Sequence, residues 1–265
     1  MRFTILGSGG SMGVPRLGGK DGAGDWGACD PANPRNRRRR CSLLVQQGQT
    51  TVLVDTAPEL RAQLLDAHVG RVDGVLITHA HADQTHGIDD LRAISYSMRR
   101  RIDLYADAET MLVLTARFGY CFATPEGSDY PPILTSHIIA EPFAPFAVSG
   151  PGGPVPVLAF GQAHGHNVRS LGYRFGKLAY SSDVSGLDDA AWAALEGVEV
   201  WILDALRRKP HPTHADVETA LGWIARLKPR RAILTDMHHD LDYETLRREL
   251  PKGVEPAYDG MVVAL

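Results

Sequence analysis

Val75-Leu-Ile-Thr-His-Ala-His-Ala-Asp-Gln-Thr-His-Gly-Ile-Asp-Asp90 is the stretch that decides the fold. Its apolar start, Val75 to Ile77, reads as a short buried strand that stops at Thr78. His79, His81 and Asp83 then follow on alternate residues. Alternate side chains of an extended or tightly turning backbone point the same way, so two imidazoles and a carboxylate converge beyond the strand end. These are ligand types that suit zinc, manganese or iron. A polar loop would account for one histidine there; three ligand types at this spacing point to a metal.

Working outward toward the N-terminus, Ser42 to Val45 and Thr51 to Val54 read as a hairpin across Gln46-Gln-Gly-Gln49, with Asp55 closing its second strand. Pro58 then opens an amphipathic helix over Glu59 to Ala67. The chain begins with a strand, Arg2 to Leu6, and the loop Gly7-Ser-Gly-Gly-Ser-Met-Gly13. That loop is no dinucleotide fingerprint, because no helical pattern follows it. Val14 to Asn36 is an irregular excursion that closes on Arg37-Arg-Arg-Arg40. The arginine run reads either as a solvated charge cluster or as a grip on phosphate oxygens.

Downstream, the pattern predicts a helix over His86 to Ile94, a strand over Ile102 to Tyr105 and a helix over Glu109 to Arg117. Gly119 to Pro132 reads as a loop flanking the site, and Ser136 to Phe160 as β-rich. Further strands are expected at Leu171 to Phe175, Leu178 to Ser181, Val198 to Leu203, Ala232 to Leu234 and Met261 to Leu265. Helices are expected over Ala215 to Leu227 and Tyr243 to Leu250. Six strand-like runs end on a ligand or its supporter: Asp55, His79 with His81 and Asp83, His164, Asp183, Asp204 and His238. A sheet gathers its strand ends along one edge. That is more ligands than one metal needs, which suggests two.

The totals agree with a globular α/β protein. The chain has 265 residues, 44% hydrophobic and 22% charged, with a formal net charge of −3. No linker or repeat divides it, so one domain over residues 1–265 is expected. The slight acidic balance gives no general affinity for a polyanion. Cys29, Cys41 and Cys121 are too few and too scattered for a disulfide framework. The N-terminus lacks the pattern of a signal peptide and no apolar run spans a bilayer, so a cytoplasmic protein without a membrane partner is expected.

His79-x-His81-x-Asp83 with the later His164, Asp183 and His238 resembles the dinuclear site of the metallo-β-lactamase fold, a four-layer αβ/βα sandwich. The Gly-Ser-Gly-Gly start, Val52-Leu-Val-Asp55, Gly165, Ser170-Leu-Gly-Tyr-Arg-Phe175 and the Thr235-to-Tyr243 segment resemble its phosphoribosyl cyclic phosphate phosphodiesterase branch. The tRNA 3′-processing endonucleases are more distant.

The resemblance implies two divalent ions, zinc or manganese. His79, His81 and His164 would hold one, Asp83 and His238 the other, and Asp183 would bridge them. Asp55 would orient a ligand imidazole from behind. Two such ions share a hydroxide and polarise a phosphoryl oxygen. Asp83 and His214 are the catalytic candidates, His214 as general acid to the leaving oxygen, with His211 and His166 lining the substrate pocket. His68 and His137 read as structural. One position departs from the pattern: Gln84 stands where the motif has an imidazole ligand. A carboxamide oxygen is a weak donor, so the second site is expected to bind more weakly and to suit manganese or magnesium. His86 is a poor substitute, two residues further on. The closely spaced cysteines of a structural zinc site are missing.

The implied activity is a metal-dependent phosphodiesterase acting on a small cyclic phosphate or nucleotide-like phosphodiester, with a homodimer possible. Two alternatives are a tRNA 3′-end nuclease and a nucleotide-binding protein whose catalysis Gln84 has impaired; a thioester or lactam hydrolase is the weakest. Long nucleic acid is not an expected partner, since polyanion binding draws on many phosphate contacts.

Overall fold

Period-two alternation sets the layers. In β2 (Ser42–Gln47), Leu43 and Val45 enter one core and Leu44 another; β3 (Thr50–Val54) divides Val52 and Val54 from Leu53 in the same way. Strands apolar on both faces belong between covering layers. The computed structural model describes residues 1–265. It has two seven-stranded mixed sheets packed face to face, with helices on their outer sides.

The first sheet runs β14 (Val262–Ala264), β1 (Arg2–Gly7), β2, β3, β4 (Gly74–Leu76), β5 (Ile102–Ala106) and β6 (Leu134–Ile138). The second runs β13 (Val254–Pro256), β12 (Arg231–Thr235), β11 (Val200–Asp204), β10 (Leu178–Ser181), β9 (Arg169–Phe175), β8 (Val155–Ala163) and β7 (Phe146–Val148). Between the sheets Phe3, Ile5, Val52, Leu76, Tyr173, Phe175 and Ile202 form one core. A second core packs Leu53, Val75 and Leu104 against Leu60, Leu64, Leu91 and Leu114, which come from α1 (Leu60–Asp66), α3 (Leu91–Met98) and α4 (Ala108–Phe122). The fold is the metallo-β-lactamase sandwich that the sequence resembles.

Strands β3 to β6 are parallel, as are β10 to β13, so their C-terminal ends share an edge. The returning helices start on aspartate caps. Asp107, Asp188, Asp216 and Asp242 each accept the backbone N–H three residues on, opening α4, α5 (Asp189–Leu195), α6 (Val217–Leu227) and α7 (Tyr243–Glu249).

Some elements differ from the sequence reading. The helix predicted over His86 to Ile94 starts later: the single turn α2 (Ala82–Thr85) lies before it, Gly87 interrupts, Ile88–Asp90 is a 3-10 turn, and α3 runs from Leu91 to Met98. A Cβ at Gly87 would lie 2.1 Å from the Ala57 carbonyl oxygen, so close packing on the loop after β3 breaks the helix there. α4 runs on to Phe122 into the expected loop, with non-helical backbone at Phe118. Neither α5, whose Asp-Ala-Ala-Trp-Ala-Ala-Leu sequence carries few large apolar residues, nor β13, an edge strand ending in proline, stands out in the sequence.

The arginine run fits neither sequence reading. Arg38 is buried and donates to the carbonyls of His238 (3.1 Å) and Leu241 (2.6 Å), pinning the segment after β12. Arg39 pairs with Asp66 and Arg40 with Glu59, both on or beside α1.

Candidate metal centre

Aspartates at strand ends build one half of the site and histidines the other. Asp55, Asp183 and Asp236 follow β3, β10 and β12, and all three have left-handed backbone (φ 62°, 53° and 63°). Aspartate is among the few residues that tolerate this conformation, which turns the chain abruptly as it leaves the sheet. His79 and His81 follow β4, and His164 follows β8.

The structure gathers His79, His81 and His164 into one cluster. Their ring centroids lie 4.5, 4.9 and 5.1 Å apart. His164 Nδ1 donates to the Thr213 carbonyl at 2.7 Å, leaving a lone pair on Nε2, which stands 3.3 Å from His81 Nδ1. His79 Nδ1 meets the Thr78 hydroxyl at 3.0 Å, while its Nε2 is buried with no hydrogen-bond partner. Burial holds His79 well below the usual imidazole range, and burial with the nearby His214 brings His164 down to about 4. Neutral imidazoles with aligned lone pairs suit a metal ion. Two nitrogens bound tetrahedrally at zinc distances are about 3.3–3.4 Å apart, and the His164–His81 spacing matches. Asp183 Oδ1 faces the cluster, 3.9 Å from His79 Nε2 and 4.0 Å from His164 Nε2. The trio with Asp183 therefore fits a divalent cation.

Asp55 supports this half, but not by touching an imidazole. It accepts the Thr78 N–H at 2.8 Å and lies 3.1 and 3.0 Å from the Thr78 hydroxyl, which in turn meets His79. The relay through Thr78 was not legible, because threonine in a strand end reads as ordinary β-former.

The carboxylate half departs from the expected ligand set. His238 is not gathered into it. Its Nδ1 pairs with Asp240 at 2.8 Å and its ring packs on His239, three residues beyond the strand end. The buried position directly after β12 belongs to Asp236, which the sequence reading passed over in favour of an imidazole. The signal was present: a strand running into aspartate, as at Asp55 and Asp183. His214 Nδ1 lies 2.8 Å from Asp204 Oδ2 and 3.0 Å from Asp236 Oδ2, with its ring against His164. Burial works against charging His214, but the two carboxylates outweigh it and push it up to about 12. Burial and Asp236 raise Asp204 to about 7.

Gln84 is fully buried and gives its amide NH2 to Asp183 Oδ2 (3.0 Å) and Asp83 Oδ2 (3.3 Å). Ionised carboxylates only accept hydrogen bonds, so the NH2 must face them and the amide oxygen must turn away. In this arrangement the Gln84 amide oxygen is buried without a partner. Asp183 likewise divides its oxygens, one toward the imidazoles and one toward Gln84.

A cleft of about 140 Å³ opens beside His214, lined by the Gly10–Gly13 loop, Arg16, Arg207, His211 and His238. His211 is part of this wall. His166 is exposed on the turn joining β8 and β9 and is not part of this wall. His86 packs against Phe118, away from the cluster. A larger cavity of about 360 Å³ around Arg2, Arg37 and Asp66 contains none of the clustered imidazoles.

Residues 50–238 match the family described as the beta-lactamase superfamily domain. The chain belongs to this superfamily. It is a metallo-β-lactamase-fold hydrolase, and the His and Asp clusters are the superfamily's candidate metal ligands in this chain. A solved structure described as a new diphosphatase from the PhnP family is 35% identical, with a TM-score of 0.86, over 99% of this chain and 97% of that one. The Zn²⁺-bound PqqB of Methylobacterium extorquens shares the superfamily fold at 18% identity (TM-score 0.74, all of both chains). Among curated proteins, an octanoyltransferase of Porphyromonas gingivalis (strain ATCC BAA-308 / W83) is 30% identical over 98% of this chain and 51% of its own length. The chain spans about half of that relative.

No helix is long and apolar enough to cross a membrane.

Proposed function

We propose that this protein is a metal-dependent phosphodiesterase acting on a small cyclic phosphate or nucleotide-like phosphodiester. The observation that carries this reading is the cleft beside His214, small and walled by Arg16, Arg207, His211, His238 and a glycine loop. Guanidinium groups and glycine-loop N–H groups are the chemistry that holds phosphate oxygens. The 35% identical structure described as a diphosphatase supports the same chemistry.

His79, His81, His164 and Asp183 would hold the cation. Bound there, it would supply Lewis acidity toward a phosphoryl oxygen and acidify a water to a pKa of about 7. The remaining work falls to the chain itself. Asp55 and Thr78 orient His79, and Thr213 orients His164. Arg16 and Arg207 draw the phosphate into the cleft. His214 spends its Nδ1 on Asp204 and Asp236, leaving Nε2 to give a proton to the leaving oxygen.

Acyl transfer, suggested by the name of the curated relative, is disfavoured by the cleft. An octanoyl chain needs an apolar sleeve, and only Leu206, Met12 and Met237 offer apolar surface there. The net charge of −3 likewise disfavours a long RNA substrate.

The test is His214→Asn, whose amide keeps a donor for Asp204 while removing the acid. Alkyl phosphodiesters, whose leaving groups need a proton, should slow by about 10²–10⁴-fold, and activated aryl esters far less. Equal losses on both would remove the general-acid role.

A further inference from the structure

We infer that the site takes a single divalent cation, on its imidazole half, and that the chain's own hydrogen-bond donors, Gln84 Nε2 and His214 Nδ1, hold the place of a second. This rests on reading the imidazole trio as a metal site, and not on the choice of substrate.

The two halves of the site differ in what they leave unsatisfied. Among the imidazoles, His79 Nε2 is buried without a partner, and His81 Nδ1 and His164 Nε2 stand 3.3 Å apart. A cation among them would take up the unpartnered His79 Nε2 and both of these nitrogens. On the carboxylate side three oxygens already have donors from the chain. Asp183 Oδ2 and Asp83 Oδ2 share the Gln84 amide at 3.0 and 3.3 Å. Asp204 Oδ2 accepts from His214 Nδ1 at 2.8 Å, and Asp236 Oδ2 stands 3.0 Å from the same nitrogen.

Spacing separates donor contacts from ligand pairs. Two atoms on one tetrahedral zinc-type ion lie about 3.3–3.4 Å apart. His214 Nδ1 sits closer than that to both carboxylates, and its 2.8 Å contact with Asp204 has the length of a charge-assisted hydrogen bond. A cation between them would have to push the ring away and break the Asp204 contact. Gln84 closes the other approach, because an amide that gives its NH2 to Asp83 and Asp183 cannot offer its oxygen to an ion between them. Gln84 is fully buried, and the His214 side chain is 13% exposed. Asp204 Oδ1 and Asp236 Oδ2 are buried without hydrogen bonds, as is the Gln84 amide oxygen, and the two carboxylate oxygens are the atoms a second ion would have to recruit.

The experiment is metal stoichiometry of the purified full chain, by elemental analysis after saturation with zinc or manganese and desalting. Wild type should retain one equivalent. The double variant Gln84→His with Asp236→His removes the amide and offers two imidazoles, and should retain two. A paramagnetic resonance spectrum of the manganese-loaded wild type provides a readout that needs no variant: an isolated ion gives a resolved hyperfine pattern, whereas a coupled pair does not. Two equivalents with a coupled spectrum in the wild type would overturn this inference while leaving the metal-dependent reading intact. No retained metal would remove both. One equivalent in a correctly folded double variant would overturn the assignment of Gln84 to the place of the second ion.

Discussion

Thr78→Val keeps the side-chain volume and the backbone N–H that Asp55 accepts at 2.8 Å, and removes only a hydroxyl. That hydroxyl links Asp55 (3.1 and 3.0 Å) to His79 Nδ1 (3.0 Å). Its loss has two costs. Asp55 is wholly buried and gives up one of its donors, at about 1–3 kcal/mol of stability. His79 loses the partner that fixes which ring nitrogen carries the proton, so the lone pair on Nε2 is no longer assured. Removing such supporting partners weakens metal affinity about 10–100-fold. Competition for zinc against a chromophoric chelator measures the second effect, and urea unfolding of the metal-free protein the first. A destabilised variant with unchanged zinc affinity would show that Thr78 only packs, and would refute the relay.

Other outcomes follow from single contacts. Arg38→Met should destabilise the fold by about 2–5 kcal/mol in denaturant, because the part-buried His238 carbonyl and the buried Leu241 carbonyl both lose the guanidinium donor; a loss below about 1 kcal/mol would contradict this. Arg16→Ala should raise KM for phosphodiesters with little change in kcat, since it acts on binding; a fall in kcat alone would place it elsewhere. Asp242 is opposed by partial burial but stabilised by donors from Thr245, Asn36 and Asp30, which bring it down to about 2. Its folded value lies below the ordinary one, so its stabilisation is present above the usual carboxylate range and is lost as pH falls toward 2. Asp242→Ala should therefore cost about 1–2 kcal/mol near neutrality, with the gap to wild type closing between about pH 4 and pH 2. A gap independent of pH would assign the loss to helix capping by shape alone.

The layers were legible because strands such as Val52-Leu-Val54 and Leu43-Leu-Val45 carry their burial in sequence order. The imidazole half was legible for the same reason: His79 and His81 are local neighbours, and His164 ends a long alternating strand. The carboxylate half was not. Whether His238 or Asp236 enters the site depends on a left-handed turn at Asp236, and on Arg38 holding the carbonyls beyond it from the other end of the chain. Neither is a local property. Gln84 could be recognised as out of place, but its engagement with Asp183, on the opposite sheet's edge, required the fold. The arginine run misled because arginine is seldom buried, and here a buried guanidinium replaces a turn's missing backbone donors.

The most direct test of a metal-dependent phosphodiesterase is hydrolysis of a bis-aryl phosphodiester before and after chelation, with zinc or manganese added back, in wild type and His164→Ala. Activity that disappears on chelation, returns with metal and is absent from the variant is the expected result. Turnover that survives both chelation and the loss of His164, or metal-restored activity confined to octanoyl thioesters, would contradict the account.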